Sequence, residues 1–496
     1  MRVILDTNIF ISREDNKVVP LVVQKLLSML NRYRIQILVH PSGTQDIERD
    51  KDAERKRIIQ SKIAAYGFLE SPPDPTLDDE FQNKCGMPKT DNDKVDNELI
   101  YAVYKDAVDF LVTEDKGIQQ KSRSVGISDR TFSVEEAVDF LQRQFREKEI
   151  AVPGPLFETP AFELDITDPI FDSLKADYPE FEQWWTKICR QGRQAIVYKR
   201  DDQSLGAIYL HKIEEEAIDA TPALPKVKRV KICTLRVVDT GYKLGEFFLR
   251  KSFEFALENG ISEVYLTHVV IPNDPLVALI EEFGFEDIAS KGKERVFLKR
   301  LVPVRRDLPN EVFSKVYFPC LRDGGGVTKF LIPIVPAYHG RLFPEFPKAK
   351  PSLFDGSELI SEGNTIKKAY LCNSRIKKIK PGDVVLFYLS REDQKITVIG
   401  TVETVFRNSK DPNEIIRQVG KRTVYSLEEV KEISSKDVSI VILFLFHSFF
   451  PKPVALSALK RNGILLRAPQ SIIALSQAQY SWIKRAGGLD ERLTFN

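Results

Sequence analysis

Four stretches of the chain place carboxylates where apolar segments begin or end. Val3-Ile-Leu5 runs into Asp6, Thr7 and Asn8. The apolar run Ile35–Val39 is followed by His40-Pro-Ser-Gly-Thr-Gln-Asp46-Ile-Glu48. Asp91-Asn-Asp93-Lys-Val-Asp96-Asn-Glu98 opens a segment whose apolar residues Val95, Leu99, Ile100 and Val103 have helical spacing. Phe110-Leu-Val-Thr113 runs into Glu114 and Asp115. A buried carboxylate without a counter-charge is costly. Carboxylates brought together repel unless a hard cation lies between them, and Mg2+ or Mn2+ takes oxygen ligands. Such an ion activates water and stabilises an in-line displacement at phosphorus. A second stretch, Thr234–Arg250, reads as a strand that turns at Gly241 and Gly245 into a helix. Backbone N–H groups at such a turn cradle pyrophosphate, and glycines allow close approach. A third, Arg375-Ile-Lys377-Lys378-Ile-Lys380, offers cations for phosphates.

The elements that must position these groups fall into three segments: 1–149, 150–303 and 304–496. The first alternates short apolar strands (Val3–Leu5, Ile35–Val39, Ala107–Thr113) with helical stretches, ending in a helix over Val134–Glu149. That alternation predicts a parallel α/β sheet, whose ligands collect outside the carboxyl ends of its strands. Asp6 and Asp115 both lie just past such ends. Each acid also has a plainer use. Asp93 suits a helix N-cap with Asp96 as its N3 partner, and Asp115 suits a turn. Val152-Pro-Gly-Pro155 punctuates the first boundary. The middle segment mixes helices with strands over Gln194–Tyr198, Gly206–His211, Val230–Val238 and Glu263–His268. The third, starting near Val302–Arg306, is strand-rich, with runs over Asp383–Leu389, Thr397–Val405 and Val438–Phe446.

At 496 residues with 43% apolar and 29% charged content, the chain reads as several soluble domains. The net charge of +2 is uneven: residues 1–150 hold 23 Lys and Arg against 27 Asp and Glu, residues 305–496 hold 30 against 19. A basic C-terminal third suggests a polyanion-facing module. Five scattered cysteines without a C-x-x-C pair argue against a zinc site or a disulfide framework. No apolar run reaches membrane-spanning length, and no secretion signal opens the chain. The expectation is a cytoplasmic protein with no membrane partner.

Three resemblances follow from these residues. VILDTN, the later acids and LVTED resemble a PIN-domain nuclease over about residues 1–140. The resemblance implies Mg2+ or Mn2+ on Asp6, Asp46, Asp96 and Asp115, with Asp93 as a fifth acid and Glu48 competing with Asp46 for the second place. It also implies RNA cleavage, and support of the cluster by Thr7, Asn8 and Thr113. Residues 151–302 resemble a GNAT acetyltransferase. That implies acetyl-CoA on Val237, Val238, Gly241, Tyr242, Lys243, Leu244 and Gly245, with Asn273 from a later motif. Thr240 stands where that family usually has Arg, Lys243 where a second Gly is common, and Ile280 where Tyr often protonates the leaving thiolate. The strand Val230–Val238 supplies no acid for a general base, leaving His268 or Tyr265 as substitutes. Residues 360–485 resemble a PUA-superfamily domain of the EVE or ASCH type, a small β-barrel associated with RNA or modified bases. Its implied contacts are Lys377, Lys378 and Lys380 for phosphates, and Tyr370, Tyr388 and Trp482, with Asn373 and Ser390, for a base.

Together these predict an α/β multidomain chain: a PIN-like parallel sheet, a GNAT-like α/β domain and a PUA-like barrel. The functional expectation is a metal-dependent ribonuclease with a CoA-binding module and an RNA-recognition module. Its partner would be RNA, with tRNA a candidate. The PIN and GNAT resemblances imply a toxin or defence role, hence a protein antitoxin or regulator as a partner. Two other readings stand beside it: an acetyltransferase of RNA, aminoacyl-tRNA or protein, and a non-catalytic RNA-binding regulator.

Overall fold

The computed structural model describes residues 1–7, 9, 21–43, 66–145, 156–200, 203–238, 243–271, 274–305, 307–346, 365–422, 424–436 and 438–496. Its contacts divide the chain into two compact units, one of residues 1–150 with 410–435, the other of 151–409 with 436–496.

The first unit is built on a five-stranded sheet: β1 (Arg2–Leu5), β2 (Gln36–Val39), β3 (Gly67–Phe68), β4 (Phe110–Val112) and β5 (Thr131–Phe132), in the order β3-β2-β1-β4-β5. Every pairing in it is parallel, as the strand–helix alternation predicts. The helices are α1 (Leu21–Arg32), α2 (Asp79–Cys85), α3 (Asp91–Tyr104), α4 (Lys116–Ser124) and α5 (Val134–Gln144). The continuation of the last helix beyond residue 145 lies outside the described residues. Ile4, Leu38 and Leu111, in register across three strands, share one core with Val95, Leu99, Ile100 and Val103 of α3. The helical spacing read in the sequence is thus the face that buries α3. α3 starts three residues earlier than an Asp93 cap would require: Thr90 is the N-cap, accepting from Asp93 N at 3.1 Å, so Asp93 sits in the first turn. Ser133 and Glu136 form a reciprocal capping box on α5.

Residues 410–435 add two short helices, Pro412–Val419 and Leu427–Ser434, to this unit. Arg422 Nε donates to Asp129 Oδ2 at 2.8 Å, and Arg417 lies 3.4 Å from Asp109. Gly420, at φ +49°, would press a Cβ to 2.3 Å from Asp129 O, so the contact requires glycine.

The second unit carries two large sheets. One holds β6 (Leu156–Pro160), β7 (Gln194–Lys199), β8 (Leu205–Ile218), β9 (Leu224–Val237), β10 (Glu263–His268), β11 (Phe285–Lys291) and β12 (Glu294–Arg300), in the order β11-β12-β10-β9-β8-β7-β6. α6 (Phe181–Arg190), α7 (Leu244–Glu258) and α8 (Pro275–Glu282) accompany it. Strands β8 and β9 are each 14 residues long, well beyond the sequence expectation, and their register continues through a charged stretch where Glu214 lies opposite Arg229 and Glu215 opposite Lys228. The parallel pair β9–β10 is in register only at Val230–Val264 and Lys231–Tyr265.

After a short parallel pair, β13 (Leu321–Arg322) with β20 (Thr494–Phe495), comes the second large sheet. It holds β14 (Lys329–Ile334), β15 (Lys367–Cys372), β16 (Val384–Leu389), β17 (Lys395–Arg407), β18 (Ile440–Ala455) and β19 (Ile473–Leu475), in the order β15-β18-β17-β16-β14-β19. β15 and β19 stand at opposite ends of that order, and no register joins them among the described residues. Among the described residues the expected closed barrel is not found; the strands form a six-stranded sheet with register shifts between β17 and β18.

Candidate functional site

In the first unit β1 leads to the strands on one side and β4 to the strands on the other. The crevice outside their carboxyl ends is the switch point of the sheet, where open α/β sheets take their ligands. Asp6 stands there because its backbone N–H extends the pairing onto Val112 O at 2.9 Å. Its buried carboxylate accepts from Thr113 Oγ1 at 2.6 Å. Thr113, fully buried, turns its oxygen toward Asp115 N as well, at 3.0 Å. Asp115 caps α4, with Oδ1 accepting from Gly117 N at 2.6 Å and Ile118 N at 3.1 Å. The turn use foreseen for Asp115 is therefore a helix cap, and it fixes the carboxylate at the mouth of the crevice.

Asp96 joins from α3. Burial pushes its carboxyl up to about 6; the charges on Asp115 and Asp6 push the same way, against the pull of Lys121. Lys121 Nζ, on α4, lies 3.1 Å from Asp93 Oδ1 and 3.4 Å from Asp96 Oδ2. The Lys121 bond holds the Asp93 carboxyl below its usual range. The structure thus brings Asp6, Asp96 and Asp115 into electrostatic reach, with Asp93 at the rim beside a lysine. Asn8, Asp46 and Glu48 lie outside the described residues. Thr7 donates to Gly43 O at 3.3 Å, tying the loop after β1 to the loop after β2.

Sequence reasoning gave no role to two neighbours. Lys121 carried no signal, since its partners lie 25 and 28 residues away. His40 ends β2, and its Nδ1 is 4.0 Å from Glu98 on α3; its place became evident only with the strand register.

These groups suit a hard divalent cation by chemistry: all are carboxylates, the charges of Asp115 and Asp6 push the Asp96 carboxyl up, and Mg2+ is commonly held by one or two carboxylates with water completing the shell. Among the described residues no group of three or more His, Cys, Asp or Glu side chains is placed so that it could hold a metal ion as it stands.

In the second unit, Val237 ends β9, Val238 follows it, and Lys243 opens α7 in a left-handed conformation. Leu244 is buried in the core. Gly245 does not face open space: a Cβ there would meet Leu279 Cδ2 at 2.7 Å, so this glycine lets α8 approach α7. Gly241, Tyr242 and Asn273 lie outside the described residues. Of the two substitutes for a base, Tyr265 is a core residue and His268 Nε2 is bonded to Asp274 Oδ2 at 2.6 Å.

Lys377, Lys378 and Lys380 are exposed on the segment between β15 and β16. The three aromatic candidates do not converge. Tyr370 packs edge-on to Phe387 and donates to Pro333 O at 2.8 Å. Tyr388, next along β16 and so on the opposite face, is fully buried in a core cluster against which Trp482 also packs. Asn373 donates to Val438 O at 2.7 Å and Ser390 to Ile334 O at 3.0 Å.

Residues 362–459 match a family described as a domain of unknown function, DUF365. No curated protein matches the chain. Among solved structures it is similar to the ASCH protein of Zymomonas mobilis, at 17% identity over 32% of this chain and 94% of that one, with a TM-score of 0.24. It is also similar to a GNAT-family acetyltransferase from Listeria monocytogenes, at 13% identity over 29% of this chain and 94% of that one, TM-score 0.21. A putative phosphinothricin N-acetyltransferase matches at 16% identity over 30% and 99%, TM-score 0.22. Likeness of this depth carries no functional argument.

Proposed function

We propose that the first unit is a divalent-metal-dependent nuclease acting on RNA, and that the basic C-terminal segment holds the substrate. The observation that carries this reading is the gathering of Asp6, Asp96 and Asp115 at the switch point of a parallel sheet, close enough for Asp6 and Asp115 to help raise the Asp96 carboxyl to about 6. A fold gains no stability from such repulsion. Asp6, Asp96 and Asp115 would hold Mg2+ or Mn2+, which would supply an activated water and neutralise charge at phosphorus. The chain's own part is positioning. Thr113 fixes the orientation of Asp6, the cap on α4 fixes Asp115, and Lys121 holds Asp93 aside. The exposed Lys377, Lys378 and Lys380 suit phosphate tracking along the RNA.

The test is cleavage of a short single-stranded RNA by the full chain with Mg2+, with Mn2+ and with EDTA, beside Asp6→Asn. Metal-dependent cutting lost in Asp6→Asn supports the reading; equal cutting by both overturns it.

The brief register of β9 with β10 favours a second activity in the middle segment. An extended acyl-CoA arm would lie where these strands stop pairing, beyond Lys231 and Tyr265. Calorimetry with acetyl-CoA decides it, and absence of binding leaves these strands a scaffold.

A further inference from the structure

Ile4, Leu38 and Leu111 lie side by side on the α3 face of the sheet. Two residues further along each strand, on the same face, come Asp6, His40 and Thr113. All three are buried, His40 being 3% exposed. The Thr113–Asp6 hydrogen bond and the approach of His40 to Glu98 of α3 confirm that the row continues in register.

The state of the His40 ring follows from its neighbours. Ser42 N points its hydrogen at Nδ1 at 3.3 Å, and Ser42 Oγ lies 2.6 Å from the same atom. Nδ1 is therefore the acceptor, and in the neutral ring the proton sits on Nε2. Burial keeps the ring neutral, lowering its pKa to about 4. Nε2 is buried and has no hydrogen-bond partner. Folding thus carries a donor N–H, without an acceptor, in the row that contains Asp6. Leaving a buried donor unmet is a penalty the chain does not need for packing, since the aromatic face alone would fill that space.

We propose that His40 Nε2–H is a substrate-binding donor, built to meet a non-bridging oxygen of the phosphodiester as it enters beside the carboxylates. This rests on the nuclease reading above. The neutral ring suits the role: it donates without adding a charge that would compete with a cation for Asp6. The nitrogen is covered in the free chain, so the bond forms only as the ligand oxygen displaces what covers it.

Two substitutions separate the ring's two ends. His40→Asn places an amide oxygen where Nδ1 was, keeping the Ser42 contacts and removing the donor. His40→Gln places an amide N–H near Nε2 and gives up the Ser42 contacts. Both are made in the full chain. The readouts are kcat and KM for a short RNA with Mn2+, and the Kd of the same oligonucleotide by fluorescence anisotropy in EDTA. The expected result is a loss of about 10-fold to 100-fold in kcat/KM for His40→Asn, the size of one hydrogen bond to an anion. Oligonucleotide binding should weaken alongside it, and His40→Gln should recover at least about tenfold. If Asp6→Asn abolishes cleavage while His40→Asn matches the wild type, the donor role is overturned and the nuclease stands. His40→Gln falling below His40→Asn also overturns it, because the Ser42 contacts would then be what matters. If nothing is cleaved yet His40→Asn binds more weakly than His40→Gln, the donor role stands and the nuclease reading falls. Neither cleavage nor binding by the wild type overturns both.

Discussion

Replacing Asp96 by asparagine should stabilise the metal-free chain above pH 6 while removing its ability to cut RNA. The magnitude follows from the site. The Asp96 carboxyl rises from its ordinary value near 3.8 to about 6, through burial first and then through Asp115 and Asp6, despite Lys121. That rise corresponds to roughly 3 kcal/mol against the ionised form. Asp96 is 24% exposed on its side chain, so solvent screens part of the effect. Lys121 keeps its partner Asp93 in the variant. A net gain of about 1–2 kcal/mol is expected, or roughly 2–6 °C in the melting of a unit this size. Between about pH 4 and pH 6 the folded chain holds the Asp96 proton and the unfolded chain does not. Stability therefore falls as pH rises through that window and stays low above it. Urea denaturation at pH 5 and pH 8 measures the difference: the variant should gain more at pH 8 than at pH 5. Added Mg2+ should raise the melting temperature of the wild type at pH 8 and do much less for the variant. A loss of stability equal at both pH values would refute the reasoning, since Asp96 would then be an ordinary partner of Lys121 and not a member of a repelling cluster.

Asp115→Asn keeps the α4 cap through its amide oxygen and should change stability by less than about 0.5 kcal/mol while abolishing cleavage. Asp115→Ala should add a loss of about 1 kcal/mol, read by denaturation. Tyr388→Phe removes a buried hydroxyl without a partner and should leave stability equal or up to about 1 kcal/mol higher. Tyr388→Ala should cost about 3–5 kcal/mol, a core effect that would mask any change in RNA binding. Replacing Lys377, Lys378 and Lys380 together should flatten the dependence of RNA affinity on salt by about one logarithmic unit per lost phosphate contact; an unchanged slope would make them ordinary surface lysines.

The parallel sheet was legible because its signal is local: short apolar runs, helical spacing in 95–103, and acids at the ends. Asp6 and Asp115 could be placed at strand ends by the same signal. His40 could not, because its meaning depends on lying across from Asp6 in a neighbouring strand and on a hydrogen-bond network that fixes its tautomer. Lys121 is invisible for the same reason. The aromatic candidates of the C-terminal segment illustrate the opposite error. Composition supplies Tyr370, Tyr388 and Trp482 in a basic region, but Tyr388 follows Phe387 in a strand, so it faces away from the ring that Tyr370 packs on. Gly245 was read for a ligand's approach, and the structure spends that space on Leu279. Glycine spacing alone does not say what comes close.

The path of the chain also decides how RNA recognition is to be tested. Between β17 and β18, adjacent strands of one sheet in the second unit, residues 410–435 leave to pack within the first. Arg422 on Asp129, Arg417 beside Asp109 and Gly420 against Asp129 O are contacts of the first unit with its own second piece. A chain cut at residue 304 would lose these along with the basic segment. Its failure to cleave would report the missing piece as readily as missing RNA contacts. Charge substitutions on the 375–380 segment avoid this, because they leave 410–435 in place. Arg422→Ala tests the argument directly. Removing one partner of an ion pair this buried leaves Asp129 without it, and the first unit should lose about 1–3 kcal/mol by denaturation. The second unit's transition should stay where it was. A shift confined to the second unit would show that residues 410–435 belong with the strands that flank them in sequence.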